Sequence, residues 1–428
     1  MSRKIAFKTL GCRLNQFETD SLVSEFHRAG YRLVEFDEPA DVYVVNTCTV
    51  TNQSDKKSRN LMSQVRRKPG DPLLVVTGCM VNNRKADPGK MDPGTYYVEN
   101  DRKSSIFHLV EAHYRGEVLH PDEVVPDVFG YEPADTTFHT RSLIKIQDGC
   151  DNYCTFCIVP SVRGRAVSRP FEKIRENILS VLEYGFREIV LTGVNLGRYR
   201  HEGINFEMLV EKILEIPGAF RLRISSIEPD GYGERFIDLF HHPKLMPHLH
   251  LCLQSGSDAV LLRMRRMYSV DGFRRIVERI REKTTDFNLT TDILVGFPGE
   301  TEDDFRATCD VVREIGFSHI HTFKYSRREG TRADRMTDQV PEKIKSERSE
   351  IIRSLSEENK RKYRSSLIGK TQTVLVEKIT GNTARGFGEL YVPIEFEPAI
   401  PRKNELCQVR ITGIAEGEDP VLFGEPAP

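Results

Sequence analysis

A strand-like segment followed by a helix-like segment recurs along the middle of the chain, and this repeat limits the possible folds more than any other feature. Short apolar runs alternate with amphipathic stretches in six successive units. The predicted strands are 143–147, 188–192, 221–225, 248–253, 289–295 and 319–323, with helices such as 171–184 and 301–315 between them. Six strand–helix units in one run predict an open or partial (β/α)6 barrel. Functional residues of such barrels lie at the carboxyl ends of the strands.

The segments on either side of this repeat predict two further structures. Before residue 119, apolar runs at 5–9, 42–46 and 73–77 are separated by helical patterns around Leu22 and at 58–67. This βαβαβ order predicts a doubly wound parallel sheet. After Gly369, short β segments with glycines between them predict a small β-barrel. These segments are 371–379, 389–396, 406–414 and 421–423.

The predicted fold is therefore α/β, with three domains and one linker. Residues 1–119 form the doubly wound domain, 140–366 the barrel and 367–428 the small β-barrel. The polar stretch 120–139 carries three prolines without a clear period and is interpreted as a linker. A long charged helix at 342–365 ends in basic residues, which form either a solvated face or a nucleic-acid contact.

The composition narrows the class of protein. The 428 residues include 62 Lys and Arg against 63 Asp and Glu, so a polyanion would have to bind a local basic patch. We find no run of about 20 apolar residues and no signal-like start, which argues against membrane insertion and secretion and indicates a cytoplasmic protein. Nine cysteines are too sparse for a disulfide scaffold, so their spacing indicates metal or redox chemistry.

Cys150, Cys154 and Cys157 form a C-x3-C-x2-C loop directly after the first barrel strand. Three thiolates can hold three irons of a [4Fe–4S] cluster and leave the fourth iron open for chemistry. A structural zinc site would need a fourth Cys or His, and none follows within the next dozen residues. A chance cluster on a loop is the remaining alternative.

Cys12, Cys48 and Cys79 each lie just past the carboxyl end of a predicted strand of the first domain. Ligand sites of doubly wound sheets gather at this edge, so these thiols could meet at a second, auxiliary open-iron cluster. The alternative is three independent buried cysteines. Gly11 and Gly78 precede two of the thiols, as expected where the backbone approaches a bulky ligand. The other three cysteines are assigned to the core: Cys252, Cys309 and Cys407.

The loop CDNYCTFCIVP, with Tyr153 and Phe156 between its thiols, resembles the cluster loop of the radical S-adenosylmethionine (SAM) superfamily. The resemblance implies that the amino and carboxylate groups of SAM chelate the open iron. One electron then splits SAM to a 5′-deoxyadenosyl radical, and a flavodoxin or ferredoxin is the expected electron donor.

Two clusters, a radical SAM barrel and a terminal β-barrel together resemble the methylthiotransferase family, in which the small barrel is a TRAM domain. Further matching segments are LTGVNLG, RISSIEP, LQSGSDAVLLRMRR and DILVGFPGETEDDF. Within them Glu228, Gln254 and Gly296 are candidate SAM contacts, although surface salt bridges would explain the first two nearly as well. The chain departs from the family pattern at GCMVNN, where GC-x-x-Q is commoner, and at Cys252, where a proline is usual.

The first cysteine motif, TLGCRLNQFETD, resembles the bacterial class that acts on N6-threonylcarbamoyladenosine at position 37 of tRNA. The isopentenyladenosine class tends to TYGCQMN and the ribosomal-protein class to LGCPKN. The resemblance implies conversion of the C2–H bond to C2–S–CH3, in which one SAM methylates a sulfur and the radical from a second abstracts the hydrogen. Basic residues could contact the anticodon loop: Arg263, Arg265, Arg266, Lys324, Arg327, Arg328, Arg332, Arg335 and the run after Glu358.

Three alternatives stay open at this point. The enzyme alternatives are methylthiolation of isopentenyladenosine-37 tRNA and methylthiolation of a ribosomal-protein aspartate. The alternative outside the enzyme class is an iron–sulfur tRNA-binding protein. Because structural clusters are usually fully ligated, two sets of three thiols argue against the last.

Overall fold

The computed structural model describes residues 2–84, 94–117, 119–135, 140–284, 286–398, 400, 402–417 and 419–427. Its first block is an all-parallel five-stranded sheet in the order β2-β1-β3-β4-β5, with helices on both faces. The strands are β1 (Lys4–Thr9), β2 (Arg32–Leu33), β3 (Val42–Thr47), β4 (Leu73–Gly78) and β5 (Thr95–Val98). The helices are α1 (Arg13–Arg28), α2 (Asn52–Arg66), α3 (Cys79–Arg84) and α4 (Ile106–Tyr114).

The predicted partial barrel is confirmed, with six parallel strand positions. One sheet has the order β12-β9-β6 and the next has β13-β14-β15-β16; only Ser225 separates β12 from β13. The strands of this block are β6 (Ser142–Lys145), β7 (Gln147–Asp148), β8 (Val167–Ser168), β9 (Glu188–Thr192), β10 (Arg200–His201), β11 (Ile204–Asn205), β12 (Arg221–Ile224), β13 (Ser226–Ile227), β14 (His248–Leu251), β15 (Asn288–Val295) and β16 (His319–Lys324). The helices are α5 (Val159–Arg163), α6 (Phe171–Glu183), α7 (Phe206–Leu214), α8 (Asp258–Met264), α9 (Val270–Lys283), α10 (Glu302–Ile315) and α11 (Glu342–Ser365).

The third block is a closed five-stranded barrel in the order β17-β18-β19-β21-β20. Its strands are β17 (Thr371–Thr380), β18 (Thr383–Phe387), β19 (Pro393–Phe396), β20 (Leu406–Ile414) and β21 (Leu422–Pro426). The sequence pattern missed β18. It also predicted that the third segment would start at residue 389, but Tyr391 has a left-handed φ of 55° and breaks the extended backbone before Pro393.

The central strands of the first sheet are buried along their whole length because helices cover both faces. Every residue of β3 (VYVVNT) and β4 (LLVVTG) is buried, which explains why these runs are continuous rather than alternating. In the barrel the same logic applies to β9. The polar residues in these strands are therefore shielded from solvent.

The segment that was predicted to be a linker packs against the first block over much of its length. Tyr131 is buried and contacts Phe17 edge to face, with ring centroids 5.5 Å apart. Arg28 forms a 3.8 Å ion pair with Asp135. The last part of this segment, 136–139, lies outside the described residues. The exact domain boundaries stay a prediction.

Candidate active site at the junction of the three blocks

The three cysteines of the first block lie at one edge of its sheet. Cys12 caps the start of α1, directly after β1, while Cys48 follows β3 and Cys79 is the first residue of α3 after β4. Because β1, β3 and β4 are neighbours in the sheet, their carboxyl ends lie side by side. Cys12 is exposed, whereas Cys48 and Cys79 are buried. The strand order thus brings together three thiols that are far apart in the sequence.

The two glycines before these thiols have backbone conformations and surroundings that exclude a side chain. Gly78 has a φ of 98°, and a Cβ there would lie 2.3 Å from the carbonyl oxygen of Thr47. Gly11 has a φ of 99°, and its Cβ would lie 3.1 Å from the sulfur of Cys48. The predicted close backbone approach is therefore present, because glycine accepts this region of φ without strain.

The electrostatics of the first-block set show that its thiols interact. Burial raises the pKa of the Cys48 thiol, and the charges of Cys79 and Cys12 raise it further. The amide of Asn100 is 3.7 Å from the sulfur of Cys79 and also donates to the carbonyl of Val162, at 3.0 Å. Asn100 thus links this cysteine to the helix that follows the barrel cysteines.

The barrel cysteines lie in the loop between β7 and α5. Burial raises the pKa of the Cys154 thiol to about 11, with Glu228 adding to the shift and Arg266 opposing it. Burial also raises the pKa of the Cys157 thiol to about 12, and the charges of Cys154 and Cys150 contribute. Bound metal would replace these protons, since a coordinating thiol is deprotonated.

The donor sets fit an iron–sulfur cluster better than a single zinc ion. Among the described residues, one group of three His, Cys, Asp or Glu side chains has all its ligand atoms within 4.8 Å, namely His250, Cys252 and Asp292. Neither cysteine set is that compact. A wider set of three thiols suits a multi-iron cluster, whereas one tetrahedral zinc needs four ligands about 2.3 Å from the ion.

The three candidate SAM residues lie in different settings, and of these Glu228 is the one that contacts the cysteine loop in the described part of the chain. Glu228 accepts from the Asn152 amide at 2.6 Å and from Arg266 at 2.5 Å, so its carboxylate is partnered at the mouth of the cysteine loop. Gln254 is buried, has a φ of 67°, and its backbone bridges to β15. Gly296 donates its N–H to Glu300, and a Cβ there would lie 2.3 Å from the side chain of Lys345.

A cavity of about 670 Å³ joins the three blocks. Cys12 and Arg13 line it from the first block, and Phe387 and Tyr391 line it from the C-terminal barrel. Its barrel wall includes four histidines and two side chains of β15, namely His248, His250, His319, His321, Thr290 and Asp292. Burial lowers the pKa of His319 to about 4, and it lowers that of His248 well below the usual value, so these rings are neutral at neutral pH.

Sequence reasoning missed a buried ionic cluster between the two cysteine sets. It consists of side chains from α1, from the segment before α4, from β6 and β7 and from α5, namely Glu18, Lys103, Lys145, Asp148 and Arg163. The one available signal was Lys145, a charged residue inside the strand SLIK. Of its two carboxylate partners, Asp148 lies three residues further along the chain, whereas Glu18 lies far away in the sequence and could not be found from the pattern.

Most of the basic residues proposed to contact RNA form ion pairs or hydrogen bonds with other residues of the protein. Arg328 is buried and ion-paired with Asp55, and Arg266, which is half-buried, is ion-paired with Glu228. In the run after Glu358, Lys360 and Arg364 are buried and paired with Asp419. Among the aromatic residues of the small barrel, Phe396 belongs to the core, whereas Phe387 and Tyr391 stack on each other with ring centroids 4.9 Å apart and line the cavity.

Comparison with known proteins matches two segments of the chain to families, and each segment contains one of the two cysteine sets. Residues 4–98 match the uncharacterized protein family UPF0004, and residues 144–312 match the radical SAM superfamily. The chain is 35% identical over 420 residues to the threonylcarbamoyladenosine tRNA methylthiotransferase MtaB of Thermotoga maritima, which covers 97% of this chain and 95% of that protein. The chain belongs to the radical SAM methylthiotransferase family.

Other relatives of this methylthiotransferase differ in their named substrates. The MtaB protein of Bacillus subtilis is 35% identical, with coverage of 95% of this chain and 93% of that one. A tRNA-2-methylthio-N(6)-dimethylallyladenosine synthase of Burkholderia thailandensis is 33% identical, with coverage of 88% and 86%. Among solved structures, the radical SAM methyltransferase TsrM of Kitasatospora setae has a TM-score of 0.54 at 17% identity and covers 78% of this chain and 77% of that one, which shows a shared fold.

Membership in this family implies that the methylthiotransferase uses SAM and a [4Fe–4S] cluster. In the described parts of the chain, every helix is too short or too polar to span a membrane.

Proposed function

We propose that this methylthiotransferase converts the C2–H bond of N6-threonylcarbamoyladenosine at position 37 of tRNA to C2–S–CH3, with two [4Fe–4S] clusters. The observation that carries the proposal is the shared cavity. Cys12 lines the same cavity as the interior side chains of the barrel. A base held there would lie beside Cys12, from which sulfur can be delivered, and against the interior of the barrel that carries the other cysteine set.

Each cysteine set has a separate role in this proposal. Cys150, Cys154 and Cys157 would hold the cluster that binds SAM, and this cluster would supply the electron for SAM cleavage. Cys12, Cys48 and Cys79 would hold the auxiliary cluster, which would supply the sulfur. Glu228 and Gln254 orient SAM from the neighbouring strand ends, and Gly296 shapes the turn beside them. The reducing electron comes from a flavodoxin or ferredoxin.

The surroundings of the cavity support a large polar substrate. Its barrel wall carries the neutral rings of His248 and His319 and several hydroxyl groups, and the wall formed by the C-terminal barrel carries the stacked rings of Phe387 and Tyr391. Aromatic faces of this kind stack on unpaired bases of an RNA loop. The protein would act on tRNA in the cytoplasm.

The substrate class rests on relatives and on the first cysteine motif. Two relatives named for threonylcarbamoyladenosine are 35% identical to this chain, and one named for dimethylallyladenosine is 33% identical. Isopentenyladenosine-37 tRNA is therefore the second candidate substrate.

Nucleoside mass spectrometry of a strain that lacks this protein tests the proposal. We expect loss of the 2-methylthio form of N6-threonylcarbamoyladenosine, with return on complementation by the wild-type chain and not by a Cys150→Ala variant. Loss of the 2-methylthio form of isopentenyladenosine instead would establish the second candidate. If neither nucleoside changes, tRNA is not the substrate.

A further inference from the structure

Arg13 occupies a special position in the cavity. It is the first residue of α1, directly after Cys12, and its partly buried side chain lines the cavity that the three blocks share. Its guanidinium group is therefore the cation nearest in sequence to the proposed sulfur-delivering set.

The three arginines that line the cavity differ in their partners. Arg364 is 2.9 Å from the carboxylate of Asp419, and Arg385 is 3.3 Å from that of Glu395. Arg13 forms no ion pair with a carboxylate among the residues that the structure describes. Its one polar partner there is the hydroxyl of Tyr391, to which Nη2 donates at 3.1 Å. Arg13 thus brings an uncompensated positive charge to the cavity.

Tyr391 holds this charge in place from the C-terminal barrel. The guanidinium carbon of Arg13 is 5.5 Å from the centre of the Tyr391 ring, which Arg141 and Arg223 also contact. Burial would raise the pKa of Tyr391, but the charges of Arg13, Arg141 and Arg223 bring it below its usual value. Arg141 and Arg223 have carboxylate partners in Glu377 and Glu188.

From this arrangement we infer that Arg13 is the specificity-determining residue that binds the carboxylate of the threonylcarbamoyl group. The inference rests on the proposed function and deepens it. In the purine ring, C2 and the carbon that bears N6 flank the same nitrogen, so a base that presents C2 to the Cys12 set also brings its N6 substituent to that side. An arginine fork is suited to a carboxylate, with which it forms two parallel charged hydrogen bonds.

An apolar substituent would gain nothing from this group. An isopentenyl chain would remove water from the guanidinium without replacing its hydrogen bonds, which carries a desolvation cost. The positive charge of Arg13 is therefore complementary to the negative charge of the carboxylate on the expected substituent.

The test compares the affinity of the reconstituted enzyme for two forms of one tRNA, with threonylcarbamoyladenosine or with plain adenosine at position 37. Because a hydrogen-bonded charge pair contributes about 1.5 to 3 kcal/mol, we expect wild type to prefer the modified tRNA by about tenfold or more. Arg13→Gln should reduce this preference to less than about threefold, and Arg13→Lys should keep only part of it, because lysine retains the charge but loses the fork. Arg385→Gln, which changes a paired arginine of the same cavity, should leave the ratio unchanged.

Iron content and SAM binding of each variant show that it is folded and loaded before its affinities are compared. If Arg13→Gln weakens the binding of both tRNAs equally, Arg13 contacts the RNA backbone or has a structural role. In that case the inference fails. If wild type itself shows no preference for the modified tRNA and does not methylthiolate it, the proposed substrate is wrong, which is a different outcome.

Discussion

Arg163 donates two hydrogen bonds to the carboxylate of Glu18, at 2.9 and 3.1 Å. Arg163 follows the last barrel cysteine by six residues, and Glu18 follows the first cysteine of the sheet by six residues. A single bidentate contact therefore joins the two elements that begin at the two cysteine sets. This contact lies in the protein interior and fixes the distance between α1 and α5.

Replacement of Glu18 tests this junction. Burial would raise the pKa of Glu18, but Arg163, Lys103 and Lys145 hold it well below its usual value of 4.5. The carboxylate therefore contributes stability fully above pH 4.5, and this contribution is lost as the pH falls through the lower, folded-state pKa. At pH 7, Glu18→Gln leaves buried cations with too little countercharge and should cost about 3 to 5 kcal/mol.

Denaturant unfolding under anaerobic conditions measures this effect as a shift of the midpoint. Glu117→Gln is the matched control, because its ion pair with Arg115 is exposed to solvent on both sides. We expect that control to unfold at the wild-type midpoint. An equally small shift for Glu18→Gln would mean that the junction carries no net stability.

Gly78→Ala should selectively damage the first-block site. The new Cβ would lie 2.3 Å from the Thr47 carbonyl oxygen and 2.6 Å from its nitrogen, so β3 and β4 must separate near Cys48 and Cys79. We expect the variant to keep about half of the wild-type iron, because the barrel site is untouched. Gly30→Ala has a similar positive φ but no atom within 4 Å of its Cβ, and it should keep all of the iron.

Removal of either cysteine set should leave the other loaded. Reconstituted wild type should bind about eight irons, and each triple alanine variant about four. The variant without Cys12, Cys48 and Cys79 should still form 5′-deoxyadenosine on reduction but no methylthio product. Iron analysis and product chromatography measure both quantities. Complete loss of iron from the variant without Cys150, Cys154 and Cys157 would contradict the two-site arrangement.

Glu228→Gln distinguishes a SAM contact from a salt bridge. The carboxylate lies between Asn152 in the cysteine loop and Arg266, and a charged hydrogen bond to SAM from this position should be worth about tenfold in affinity. We therefore expect a tenfold higher Kd for SAM in equilibrium dialysis, with unchanged iron. Glu211→Gln, whose partner Arg235 is exposed, is the control. An unchanged Kd would mean that Glu228 serves only as the partner of Asn152 and Arg266.

The parts of the fold that repeat were predictable from the sequence. The six barrel strands were recognised because each apolar run is followed by a helix, and the cysteine positions at strand ends followed from that pattern. The strand Thr95–Val98 was missed, since it is short and half-buried and no clear helix precedes it in the pattern. Contacts such as Asn100 with Val162 or Arg13 with Tyr391 join residues from different blocks, and periodicity carries no information about them.

The exposure of Cys12 beside two buried thiols affects how the enzyme loses activity in air. Oxygen and thiol-directed reagents can reach Cys12 through the cavity that, under the proposed function, the substrate also enters. Bound RNA would then cover this thiol, whereas an enzyme without RNA would leave it open. We therefore expect the enzyme to be inactivated in air more slowly when RNA is bound, so that a low concentration of substrate increases oxidative damage to the enzyme.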